Sequence, residues 1–593
     1  TAKRKDITGS VASVNSETLA AIPVASATEA LQGKMAGVQI TTTEGSPDAQ
    51  MSIRVRGGGS ITQSNEPLFI VDGFPVESIS DIPPTDIESI DVLKDASSTA
   101  IYGARGANGV IIVTTKSGKE GKVSVSYNAY YAWKKVAKTL DVLSASDYTK
   151  WQYELAQLTN KNDDYIKYFG NYQDLDMYDN VATNDWQDLT FGRTGHSFNH
   201  NLSINGGSDK FKYSFSYSHI DDKAIMQMSD YARDNLNLKL NHKPLKNVSL
   251  DFSARFSKTK INGGGSNDAN SSLNTDKRLK YSLLYTPYPV PGISDALNAD
   301  EEDANSLLIN PLISLRDNDT RKERINYNLA GSITWEIIKD LKLKAEVGYD
   351  DYRNNADRYY GVTTYYVRNN VDDEDKSKPA ISFTRGTRTA FRSTNTLSYD
   401  FKKFFKNNKN HLNLLAGQEY IVTRERELRN VVHGFPTEYT ADDCINYSTK
   451  GNPYEVTNYG YPDDVLFSFF GRANYDFDSK YLFSATFRAD GSSKFAKGNQ
   501  WGFFPSAAVA WRISSESFME NTKNWLDDLK LRFSYGTAGN NNIPSGQISQ
   551  LYELNKTPWI NGVNSYIAPS KYMANSDLTW ETTITRNVGL DFT

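Results

Sequence analysis

A single cysteine, Cys444, serves a chain of 593 residues. One thiol excludes an intramolecular disulfide and any cysteine-based metal cluster. Long apolar runs are also lacking. Nothing approaches the ~20 apolar residues of a membrane helix, which excludes a helical membrane protein but not a barrel, whose strands are apolar only at alternate positions. Neither sign of charge dominates: 66 Lys+Arg stand against 71 Asp+Glu, a net charge of −5. That gives no support for electrostatic binding to nucleic acid. No Gly-x-Ser-x-Gly elbow and no nucleophile–base arrangement is present, so no enzyme is expected. The opening TAKRKDITGS is polar and shows no signal peptide. The chain is therefore expected to begin within a mature protein, or after a processed or omitted leader.

Aromatic residues are plentiful at 12%, with 36 Tyr and 27 Phe. They suit strands, aromatic girdles and sugar-binding surfaces. The length exceeds one ordinary core, and the chain has two grammars. Up to about Gly118, short dense apolar runs (Ile53–Arg56, Leu68–Val71, Ile90–Leu93, Val110–Val113) interleave with helix-like pieces. Ala27–Met35 reads as one helix. Asp95 caps a second, which Gly103 ends. This predicts a small α/β domain over 1–118, with a linker at 119–122.

From 123 to 593 the pattern is strict alternation. In FKYSFSYS, Phe211, Tyr213, Phe215 and Tyr217 face one way and Lys212, Ser214, Ser216 and Ser218 the other. NLNLKLN repeats this, with Leu236, Leu238 and Leu240 opposing asparagines and Lys239. The fold class is mainly β, one large antiparallel sheet. Three features favour a transmembrane barrel over a sandwich. The inward series is rich in Ser, Asn, Thr, Lys and Arg. The outward series is aromatic. Links such as 262–278 and 351–385 are long and polar, as extracellular loops are.

Other motifs carry less. DASSTAIYGARGANGVIIVTTKSG (95–118) suggests a phosphate loop, but its glycines follow a helix and precede a strand, the reverse of a nucleotide site. Gly103, Gly106 and Gly109 instead allow tight turns. His196 and His200 lie on a strand, ~13 Å apart, as ordinary polar histidines. No metal or cofactor site is expected. Calcium at the acidic runs Asp300–Asp303 and Asp372–Asp375 is the one exception left open. Tyr359, Tyr360, Tyr365, Tyr366, Tyr459 and Tyr461 fall in expected loops as candidate substrate contacts, with loop packing the alternative.

ALQGKMAGVQI, IRVRGGGSI and the block from Pro67 to Gly118 closely resemble the plug of SusC/RagA-type TonB-dependent transporters. DWQD (185–188), LLAGQEY (414–420), FRADGSSKF (487–495) and LTWETTITRNVGLDF (578–592) extend the resemblance over nearly the whole chain. It implies an outer-membrane barrel of about 22 strands with the N-terminal domain in its lumen. It also implies import of oligosaccharides or peptides, a SusD-like surface lipoprotein as lid, and energy from the TonB complex through a segment preceding this chain. A non-transporting receptor or adhesin is the alternative, and a soluble all-β enzyme a weaker one. The region after the plug suffices for only about 12–19 strands at ~25–40 residues each. The barrel is therefore expected to be incomplete in this chain, with C-terminal strands missing. Plug turns are expected at Gly57, Asp72, Gly73, Asp95, Gly103, Gly106 and Gly109. The resemblance further implies an ionic lock between plug arginines Arg56 and Arg105 and wall glutamates Glu419 and Glu581, both at inward parity. Arg586 falls on the outward series, as at a bulge or rim.

Overall fold

The computed structural model describes residues 10–20, 24, 26–42, 48–49, 51–57, 65–263, 278–291, 293, 309–369, 373–401, 405, 409–522, 524–555, 566–569 and 573–593. The N-terminal domain contains β1 (Val11–Asn15), β2 (Val38–Thr42), β3 (Met51–Val55), β4 (Leu68–Val71), β5 (Phe74–Val76), β6 (Ile87–Leu93) and β7 (Val110–Thr115). Five of them form a sheet in the order β1-β6-β7-β4-β5, with β4 and β7 parallel, and β2 pairs with β3. Their apolar runs bury Leu31, Ile53, Val71, Ile79, Ile90, Ile111 and Val113 in one core. The expected helix over Ala27–Met35 is shorter. Ser26 Oγ accepts from Glu29 N (3.1 Å), but the helix spans only Ala27–Ala30. Gly33 at φ +69° and Gly37 at +72° turn the chain instead.

A 14-strand antiparallel sheet follows, each strand pairing with the next. It comprises β8 (Gly121–Lys134), β9 (Gly195–Gly207), β10 (Phe211–Lys223), β11 (Asp230–Leu245), β12 (Val248–Asn262), β13 (Thr320–Ile338) and β14 (Leu341–Tyr360). It continues through β15 (Ala380–Asp400), β16 (Asn410–His433), β18 (Asp464–Phe477), β19 (Tyr481–Ser492), β20 (Trp501–Arg512), β21 (Leu529–Asn540) and β24 (Glu581–Phe592). Off this path, β17 (Asn452–Gly460) extends the edge of β16, and β22 (Tyr552–Asn555) pairs with β23 (Tyr566–Pro569). Among the described residues, β8 and β24 pair on one side only.

The register shows why these residues form strands. Tyr213, Phe215 and Tyr217 of β10 lie opposite Leu240, Leu238 and Leu236 of β11, while Ser214 and Ser216 lie opposite Lys239 and Asn237. Cross-strand apolar pairs stabilise one face. Burial is then inverted relative to a water-soluble protein. Ser216 and Ser468 are 6% and 0% exposed, whereas Trp133 and Val588 are 72% and 68% exposed. Polar residues line the side that holds the small domain, and an apolar belt faces outward, as a barrel in lipid requires. No described helix is long and apolar enough to cross a membrane.

The two rims differ. At one, strands join through 208–210, 246–247, 339–340 and 478–480; at the other lie 135–194, 263–319 and 541–580. Two expectations shift here. The first wall strand starts at Gly121, inside the expected linker. The expected loop 351–385 shortens to 361–379: β14 runs to Tyr360 and β15 starts at Ala380, because the alternation continues through polar residues.

Candidate functional site

The seam between the small domain and the sheet concentrates the buried charge. The β4–β5 turn presents Asp72 at φ +52°, with Gly73 at +86°. Asp72 accepts from Thr115 N (2.9 Å) and Thr115 Oγ1 (2.7 Å), which fixes the carboxylate within the plug fold. From the wall, Lys239 Nζ donates to it at 2.6 Å and Arg255 Nη1 lies 3.7 Å away. Burial alone would raise this carboxyl. The two cations and the bonds from Lys239 and Thr115 outweigh burial, and hold it below the usual range.

A second clamp joins Arg324 of β13 to Asp48 (2.6 and 3.3 Å) and Asp81 (3.3 Å). Such forked pairs fix geometry as well as charge. Asp48 nevertheless sits above its usual range, because burial, assisted by Asp81, outweighs Arg324. Burial likewise raises Asp86, whose Oδ1 accepts from Asn201 of β9 (3.3 Å).

The third clamp lies under the quoted 95–118 stretch. Asp95 caps its helix, accepting from Ser98 N (2.9 Å), and its other oxygen accepts from Ser534 and Asn587 of the wall (3.3 Å each). The 3-10 turn Ala100–Arg105 then rests on Arg488 of β19, whose Nη1 donates to the carbonyl of Ile101 (2.8 Å). Gly103 breaks this turn at φ +67°, and a Cβ there would overlap Arg488 and Asp490. Arg488 is 1% exposed and also donates to Glu419 (2.6 Å) and Asp490 (2.7 Å). Arg392 of β15 donates to Glu419 (2.7 Å) and to the carbonyl of Gly73.

Glu419 is thus buried on the wall's inner face, and its described partners are the wall arginines Arg392 and Arg488. The side chain of Arg105 lies outside the described residues. Arg56, at φ +58°, donates to Ser10 Oγ (2.9 Å) and Asn587 Oδ1 (3.4 Å). Glu581 has inward parity but is exposed, and accepts from Asn540 (2.8 Å). It stands six positions from Asn587, ~20 Å along the strand, so Arg56 and Glu581 do not meet. Arg586 is exposed on the outward series. Gly57 and Gly109 take positive φ, whereas Gly106 does not (φ −90°).

Sequence reasoning missed Lys239, Arg255, Arg324, Arg392 and Arg488 as the wall's half of these clamps. Their signal was available: each is a cation at inward parity on an alternating strand.

The tyrosines divide. Tyr359 and Tyr360 end β14 as buried residues rather than in a loop. Tyr360 stacks on Tyr366 (4.3 Å between centroids), Tyr366 bonds to His433 Nε2 (3.0 Å), and His433 stacks on Tyr454 (3.9 Å). These rings pack loops together. Tyr459 and Tyr461 are exposed near the rim, and the side chain of Tyr365 lies outside the described residues. Among the described residues no group of three His, Cys, Asp or Glu is placed to hold a metal. The run Asp300–Asp303 and Asp372 lie outside them.

The chain is similar to known proteins in sequence and in fold. A model of the TonB-dependent receptor plug domain matches residues 3–110, and one of the TonB-dependent receptor-like β-barrel matches 266–593. The TonB-dependent receptor P3 of Formosa agariphila is 32% identical over 610 residues, covering 100% of this chain and 55% of that protein. The TonB-dependent receptor SusC of Bacteroides thetaiotaomicron is 31% identical over 630 residues, covering 100% and 58%. The chain therefore spans little more than half the length of these curated relatives. The structure of the RagAB peptide transporter superposes with a TM-score of 0.79 at 27% identity, covering 98% of this chain and 65% of that one. The siderophore receptor PirA of Acinetobacter baumannii, at 15% identity and a TM-score of 0.55, shares the fold.

Proposed function

This chain belongs to the TonB-dependent receptors as a SusC-like member, and we propose that it imports oligosaccharide or peptide fragments across the outer membrane. TonB supplies the energy, and a SusD-like lipoprotein covers the long-loop rim. One observation carries the reading: a small folded domain fills the polar side of a sheet whose other side is an apolar belt. A pore that must stay shut at rest needs such a plug. The likeness to the RagAB peptide transporter supports peptide as a cargo class, and the SusC-like character of the chain suits the oligosaccharide alternative. Exposed Tyr459 and Tyr461 are candidate contacts for cargo at the rim.

Cells carrying the intact protein should take up labelled oligosaccharide or peptide pools, and uptake should cease when the proton-motive force is collapsed. Binding that persists without any energy-dependent uptake would instead identify a surface receptor or adhesin.

The lock between plug and wall centres on Glu419. Arg105, in the turn that rests on Arg488, is its proposed plug partner. Arg105→Ala should raise the rate at which protease nicks the plug several-fold and should change uptake. Unchanged nicking and uptake would remove Arg105 from the lock.

A further inference from the structure

We infer that a polar conduit already runs along one side of the plug, against β11–β15, and that a single plug turn closes it. Two cavities lie between plug and wall there. The one nearer the long-loop rim has a volume of about 420 Å³ and the one nearer the short-turn rim about 250 Å³. The same five strands line both. Successive inward residues pass from the first cavity to the second: Asn237 to Lys239 on β11, Asn328 to Ala330 on β13, Asp350 to Gly348 on β14. Inward residues on one strand stand ~7 Å apart, so one layer of side chains separates the cavities.

The plug supplies that layer from its β4–β5 turn. Asp72 is gripped by Lys239 and Arg255. Two residues on, Phe74 lays its ring where Gly348 has no side chain; a Cβ on Gly348 would overlap it. The walls suit a hydrogen-bonding chain in transit. Asn237, Asn326, Asn328 and Arg255 line the first cavity, and Lys239 and Asn241 the second. The other side of the plug is closed differently, by backbone seated directly on Arg488. Opening therefore requires one turn to move, not the plug to leave. The transport reading supplies the purpose of this conduit, but its existence is testable without cargo or energy.

The intact protein in a planar bilayer should be non-conducting. Asp72→Asn combined with Phe74→Ala should open a steady ion conductance. Adding Ala330→Cys in a Cys444→Ser background, then a charged methanethiosulfonate, should reduce that conductance at least twofold. The same reagent at Ser506→Cys, on the inner face of β20, should not. A silent double variant, or block from Ser506 instead of Ala330, overturns the conduit. If the plug pair fails to fold, judged by its heat-modifiable gel mobility, Lys239→Ala combined with Arg255→Ala and Arg392→Ala releases the same turn from the wall side, and its silence is equally decisive. Normal uptake with a silent seam would reject the conduit and leave transport standing. A conducting seam without energy-dependent uptake would do the reverse.

Discussion

Arg488→Ala should cost about 3–5 kcal/mol, the usual penalty for leaving buried carboxylates without their cation. Three groups lose the Arg488 donor together: Asp490, the carbonyl of Ile101 and Glu419, which keeps only its bond from Arg392 among those described. Asp490 is fully buried and Glu419 nearly so, and neither can turn to bulk water without disturbing the wall. The plug segment 96–105 loses its seat at the same moment. Thermal unfolding in detergent and protease nicking of the plug should both register the loss. Adding Asp490→Asn should recover part of it, because the two residues form one network and their effects do not add. A variant as stable and as protease-resistant as the parent would show that the plug is held elsewhere.

Acidity should act on the plug in two opposed directions. Asp72 sits below the ordinary carboxylate range, held there by Lys239 and Arg255 against its burial. Its contribution is present above the unfolded value of about 3.9 and is lost as pH falls through the lower folded value. Asp48 and Asp86 are raised by burial. Their contribution is full below about pH 4 and is lost as pH rises through their raised values. Plug seating should therefore tighten as pH falls through the raised values of Asp48 and Asp86 and fail only in stronger acid. Asp86→Asn should flatten the upper limb without loss at pH 7. Asp72→Asn should erase much of the acid limb and cost about 3 kcal/mol at pH 7, since it leaves Lys239 buried without its anion. Protease resistance of the plug across the range checks both limbs. A profile that Asp72→Asn leaves unchanged would refute the assignment of the acid limb.

The wall was legible because period-two alternation is a local property. FKYSFSYS assigns its own two faces, and the observed register sets them beside the matching faces of NLNLKLN. Asp95 as a cap and Gly103 as a break were legible for the same reason: each acts within a turn of itself. The partners across the seam were not. Lys239 and Asp72 are 167 positions apart, and which cation meets which carboxylate depends on how the plug sits. The shared lock was therefore read as plug arginine to wall glutamate, whereas the described clamps run largely the other way, from wall cation to plug carboxylate or carbonyl. Composition left the tyrosine clusters open between substrate contact and loop packing; Tyr359 and Tyr360 form the inner packing of a loop.

The unequal rims carry a consequence for change. Turns of two or three residues make four of the six links at one end of the sheet, 401–409 and 513–528 being the other two, while the segments 135–194, 263–319 and 541–580 connect strands at the other. Any residue added to a short turn shifts the register of two strands and swaps their lipid and lumen faces. A residue added to a long loop shifts nothing below it. The molecule thus separates what can vary from what cannot. Recognition can be rewritten at one end by insertion and deletion, while the plug, its clamps and the closed seam stay as they are.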